Sequence, residues 1–330
     1  MKFCGTEPRA KRSWSGIIRC WFNILCTLGM IYLAALVFVL EKDLTFVKVT
    51  GAIDTIVLMS HCALKMVSIY LQQPIMFELL ERKRLHFWDI ENSSSKEKKE
   101  YRKKVLGYAQ FVILFFTVAS IIACSSFGLQ PLYLRKKVLG VSTYIPQIQW
   151  KSLNIEIKNI LDSKIDTLED QQLFKAKAIR CVEHHNFLKR YIEDYNKSLS
   201  LGLLAYILVF VISNCLNAFI ISSGPELREL VRRSLYQCNL SNQFILLYAI
   251  PAQFLSTETQ ISEEIVFDTK WYNTACKDKK LFIWMISSVA KREVALKAGK
   301  ILTVNYEFTF KMYRSIISYY MFLRTMGSNH

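Results

Sequence analysis

Apolar residues in this chain gather into long uncharged runs, and the charges gather between them. Residues 21–40 carry no charge at all. A helix of about 20 apolar residues crosses the hydrocarbon core of a bilayer, so this run predicts a first transmembrane span. Further spans are predicted over 53–71, 105–129, 199–222, 234–256 and 301–326. Pro251 is compatible with a spanning helix, because neighbouring helices and water can satisfy the carbonyl it frees. Lys65 has to sit near a helix end or face the bundle interior. Segment 281–290 is apolar but too short to cross.

The stretches 81–104, 151–197 and 268–300 are charged, and they read as cytoplasmic helical extensions. Within the second, Leu153, Ile157, Leu161, Ile165 and Leu168 recur at three- and four-residue steps, the mark of an amphipathic helix outside the membrane. Residues 131–197 hold no run that could span, and 138–150 is at most a marginal re-entrant segment. The expected fold is therefore an all-α integral membrane protein. It is one domain over 1–330, a bundle of about six to seven transmembrane helices, six of them convincing.

Composition supports this class. The chain is 52% hydrophobic and 13% aromatic, and its mean hydropathy is +0.19, whereas a soluble domain needs polar cover. The net charge of +16 comes from 43 Lys+Arg against 27 Asp+Glu. Most of these basic residues sit in loops, as cytoplasmic loops of membrane proteins do, and no nucleic-acid-binding module accompanies them. Lys2, Arg9, Lys11, Arg12 and Arg19 precede the first span and place the N-terminus in the cytoplasm. The nine cysteines form no C-x-x-C pair and read as small buried hydrophobes. His184 and His185 are neighbours that point in different directions on a helix, unlike zinc ligands. No phosphate loop, dinucleotide fingerprint or nucleophile motif is present, so neither a cofactor nor an enzyme is expected.

Four short motifs stand in order along 178–326. They are Cys181-Val182-Glu183-His184-His185, Phe267-Asp268-Thr269-Lys270-Trp271-Tyr272, Leu296-Lys297-Ala298-Gly299-Lys300 and Ser318-Tyr319-Tyr320-Met321-Phe322-Leu323-Arg324. In this order and at this distance from the C-terminus they resemble the insect odorant receptor family. The first 130 residues agree with that family in hydropathy only.

The resemblance implies a subunit of a tetrameric, ligand-gated cation channel in the plasma membrane, with a cytoplasmic N-terminus. Four copies of the last helix would line the pore, a volatile odorant would bind in the outer half of the bundle, and a shared co-receptor subunit would complete a heterotetramer. By match to the family, Phe322 and Met326 fall at a hydrophobic gate. Arg324 would face away from the cation path or occupy the outer mouth. Lys311 and Arg314 would face neighbouring helices or lie near the inner vestibule. Candidate pocket residues are Met59, Ala63, Thr117, Ser120, Cys124 and Tyr236, and each also fits ordinary helix packing. Trp271 and Trp284 are candidate subunit contacts that fit packing within one subunit equally well.

The family has seven spans, and this chain is expected to lack the fourth. That loss would place 151–197 outside and invert the later helices. Two alternatives therefore stand beside an odorant-binding subunit: a gustatory receptor of the same architecture, and a truncated subunit that senses nothing itself.

Overall fold

The computed structural model describes residues 14–41, 46–90, 93, 95–125, 137–163, 165, 167–222, 227–268, 277–290, 294–299 and 301–327, with some side chains inside the helices excepted. The described residues are helical almost throughout. α1 spans Trp14–Leu40, α2 Phe46–Leu71, α3 Gln73–His86 and α4 Lys96–Ser125. α5 (Lys137–Asp162) and α6 (Leu168–Ser222) follow. α7 (Leu227–Phe244) passes through a π-helical turn, Ile245–Ala249, into α8 (Ile250–Asp268). α9 (Lys277–Ala290) precedes a small hairpin of β1 (Lys297–Ala298) and β2 (Leu302–Thr303), and α10 (Tyr306–Gly327) completes the described chain.

α1 packs along α2 through Cys20, Ile24 and Met66, while Leu25, Leu33 and Val39 remain exposed. That outward apolar surface suits lipid. Pro74 in the first turn of α3 breaks the chain away from α2. α4 carries the charged residues 96–104 straight into the apolar run on one helix.

The stretch expected to hold no span forms a helix, α5, of 26 residues, about 39 Å long. Gln147, Gln149, Lys151 and Asn154 interrupt its apolar run, and among the described residues the helices long and apolar enough to cross a membrane are 20–40 and α6. In the fold these polar groups turn toward protein. The Gln149 amide accepts from the Trp88 N–H (3.1 Å) and donates to the Trp88 carbonyl (3.0 Å). Gln147 donates to the Tyr101 hydroxyl at 2.8 Å. Asn154 donates to the Glu258 carbonyl at 2.8 Å and accepts from Ser262 at 2.5 Å. Polar residues satisfied inside a bundle need not face lipid. Pro146 also lies inside this helix.

The charged helix expected over 151–197 is two helices. Leu153, Ile157 and Leu161 are buried as their spacing predicts, but Leu168 is 75% exposed, beyond a break. Thr167 and Asp170 form a capping box there. The Asp170 carboxylate accepts from the Thr167 N–H at 3.0 Å, and the Thr167 hydroxyl accepts from the Asp170 N–H at 3.1 Å. From that cap α6 runs for 55 residues, about 80 Å. Its charged half and its apolar half form one rod.

Pro251 cannot donate to a carbonyl one turn back, and the wider π turn lies immediately before it. The span expected over 301–326 starts later, because Leu302–Thr303 form a strand paired with Lys297–Ala298. Asn305 opens α10 by accepting the Phe308 N–H at 2.7 Å.

The main core lies between α5, α6, α8 and α9. Trp150, Leu153, Ile157, Leu188, Phe210, Phe244 and Ile286 are all fully buried in it.

Candidate functional site

The predicted pocket residues scatter over three helices. Met59 is half-buried and Ala63 buried, one turn apart on the same face of α2. Thr117, Ser120 and Cys124 lie on the α4 backbone and Tyr236 on α7, but their side chains lie outside the described residues.

A polar network that the sequence reading did not assemble ties α2, α6 and α7 together. Asp54, on a different face of α2 from Met59, accepts from the Asn217 amide at 3.2 Å. The Asn217 oxygen accepts from Arg233 at 3.1 Å, and Arg233 donates to Glu229 at 2.6 Å. One turn further in, Asn214 accepts from Gln237 at 2.5 Å. Asp54, Ser213, Asn214 and Asn217 are all buried. Charges inside a membrane bundle persist only when paired, and here Asp54 and Glu229 flank Arg233. A Cβ added at Gly51 would stand 3.3 Å from the Arg233 guanidinium, so the small residue makes room for it. The signal was present in sequence: Asn214 and Asn217 stand three apart inside an uncharged run. Their partners on other elements were not.

The Cys181-to-His185 motif builds the end of the bundle where the charged starts of α4 and α6 lie. His184 stacks on Trp88 with ring centroids 4.1 Å apart, and His185 meets Trp150 edge-on at 4.7 Å. Arg180 and Lys98 both lie over the Trp88 ring, and Lys98 pairs with Glu156 at 2.6 Å. Burial, with Arg180 and His185 adding to it, lowers the His184 pKa to about 3. Burial, then Lys189, lowers that of His185 to about 4. Burial pushes the Cys181 thiol up to about 12, so it stays protonated. Both imidazoles are therefore neutral packing groups at physiological pH. Among the described residues no three His, Cys, Asp or Glu side chains gather to hold a metal ion.

The hairpin explains the Ala298-Gly299 motif. Gly299 has a φ of +63°, the left-handed region that glycine tolerates. Its N–H donates to the Ser200 carbonyl at 3.0 Å, and an added Cβ would sit 2.5 Å from Leu204. Asn196 donates to the Ala295 carbonyl and accepts from the Lys297 N–H. The hairpin is thus seated on α6 where its charged half meets its apolar half. From there α10 rises against α6 through Met312 and Ile316, and Tyr313 meets Phe210 edge-on at 5.9 Å. At its base the Tyr306 N–H donates to Gln253 of α8.

Phe322 lies off the packed face, about 120° round the helix from Ile316, and is 58% exposed. Arg324 is exposed and projects about 160° round the helix from it. The Met326 side chain lies outside the described residues. Lys311 and Arg314 do not pack between helices of this chain, which leaves the vestibule option of the two expected. Both are exposed, and Lys311 pairs with Glu307 on its own helix at 2.6 Å. Trp284 on α9 is 69% exposed, and Trp271 falls outside the described residues.

A comparison with curated protein sequences finds no match. Among solved structures, the fold is similar to that of the insect olfactory receptor OR5 from Machilis hrabei, with a TM-score of 0.78 and 13% identity over 96% of this chain and 92% of that one. The same receptor in complex with eugenol gives 0.78 and 12%, over 97% and 93%. The sequence profile described as 7tm Odorant receptor matches residues 141–317, more than half of the chain. On that match and the shared all-helical membrane fold, the chain belongs to the 7tm odorant receptor family.

Proposed function

We propose that this receptor is the odorant-binding subunit of a ligand-gated cation channel in the plasma membrane of an insect sensory neuron, paired with a shared co-receptor. The observation that carries this reading is the odorant receptor profile over 141–317, with a fold match that takes in 96% of the chain. α5, over residues 137–162, is the fourth crossing in this reading. A fourth crossing returns the chain to the cytoplasm before α6 when the N-terminus is cytoplasmic. The charged half of α6, the hairpin and α9 then share the inner side, and α10 crosses outward. The alternative of a truncated, non-sensing subunit holds if α5 does not cross. The odorant family profile likewise favours an odorant over a gustatory receptor.

Volatile ligands are small and apolar and need a greasy cavity with few polar groups. Met59 and Ala63 on α2, with the positions of Thr117, Ser120 and Cys124 on α4 and Tyr236 on α7, supply that mixture in this reading. α10 holds one face against α6 and leaves Phe322 on a free one. Rings of such apolar side chains close a pore by dewetting. Trp284 stands free on α9 as an aromatic anchor for a neighbouring subunit.

The test is odorant-evoked current in cells expressing the co-receptor with and without this chain, across a broad odorant panel. A ligand preference that changes when the chain is added supports the reading. Confirmed surface expression with no change from the co-receptor alone overturns it.

A further inference from the structure

α10 divides into three faces. Met312, Tyr313 and Ile316 turn into the bundle. Phe310, Ile317 and Met321 form an exposed apolar strip on another side. The third face is polar apart from Phe322. At 100° per residue, Glu307, Lys311, Ser315, Ser318, Phe322 and Thr325 fall within about 80° of one another, and all are exposed. The three hydroxyls on this face donate back to their own helix, from Ser315 to Lys311, Ser318 to Arg314 and Thr325 to Met321. Their oxygens stay outward as acceptors, the polarity a cation path requires. The single charged pair on the stripe, Glu307 with Lys311, is 71% and 70% exposed, about 17 to 22 Å below Phe322 along the axis.

We propose that the Glu307–Lys311 pair stands at the inner mouth of the conduction path and sets cation throughput, Lys311 muting the attraction that Glu307 exerts on passing cations. This deepens the channel reading above and rests on it. A carboxylate at a pore mouth concentrates cations within a Debye length of about 8 Å, and an ammonium beside it cancels most of that field. The two residues therefore act with opposite sign although they form one contact. A purely structural i,i+4 pair would lose the same small stabilisation whichever partner was removed.

The experiment is single-channel recording from cells expressing the full chain with its co-receptor, read on spontaneous and odorant-evoked openings alike. Lys311→Gln is expected to raise cation conductance by roughly twofold and to strengthen block by internal Mg²⁺. Glu307→Gln is expected to lower conductance by a similar factor, and the double variant returns near the parent value. Changes of the same direction in both single variants overturn the proposal, as does unchanged conductance in both. Spontaneous openings that ignore odorants fail the odorant reading alone and still test the pair. Surface-expressed chain that alters no opening overturns both.

Discussion

At the scale of single residues, two motif positions have physical reasons for their identity. Gly299 combines a left-handed backbone with an approach that leaves no room for a Cβ beside Leu204. Gly299→Ala is expected to destabilise the chain by about 2–4 kcal/mol, seen as a lower thermal midpoint of the detergent-purified receptor. Adding Leu204→Ala removes the overlap and recovers part of the loss. His184 and His185 make a different case. Their folded pKa values are lowered to about 3 and about 4, against about 6.5 in an unfolded chain. The unfolded state therefore binds protons first as pH falls. The stabilisation is complete above about pH 6.5 and is lost toward pH 4, by about 1.4 kcal/mol per pH unit for each histidine. Melting the receptor between pH 7.5 and 5 checks this, and a flat midpoint rules out neutral, buried imidazoles.

At the scale of elements, boundaries were the hardest feature to read. The apolar stripe Leu153, Ile157, Leu161 was visible and correct, yet it seemed to run on through Ile165 and Leu168. The Thr167–Asp170 capping box that ends this continuity is itself a sequence pattern, but charge-rich surroundings masked it. Thr167→Ala should cost about 1 kcal/mol and fray the start of α6, read as faster amide hydrogen exchange over 168–172 with the apolar half of α6 unaffected. The last span was read five residues too early, because Ile301 and Leu302 look like membrane residues. Ile301 lies in the turn and Leu302 in β2, and the hairpin is fixed by the pairing of its strands and by bonds of Lys297 and Gly299 to Asn196 and Ser200 on α6.

At the scale of the whole molecule, the decisive element is α5. If it crosses, the chain outside the membrane alternates regularly from α1 to α10. An N-glycosylation acceptor inserted between residues 129 and 131 is then modified in cells, and one inserted between 163 and 167 is not. The opposite pattern would place α6 outside and end the proposed topology. The polar tie of Asp54, Asn217, Arg233 and Glu229 also belongs to this scale, since it draws one side chain or more from each of three helices.

The sequence by itself determined the class of the protein, because water and lipid sort uncharged runs from charged ones before any tertiary contact forms. It also determined the family, through motifs whose residues are constrained locally or at one contact: a left-handed glycine, a pair of histidines against tryptophans. Tertiary structure alone decided that α5 is a helix of the bundle. A glutamine or asparagine is costly in lipid and acceptable in protein, and only the partners Trp88, Tyr101, Glu258 and Ser262, distant in sequence, distinguish the two. Tertiary structure likewise decided which faces of α10 are covered, since the period of a helix fixes the angles between side chains but not the direction in which α6 lies.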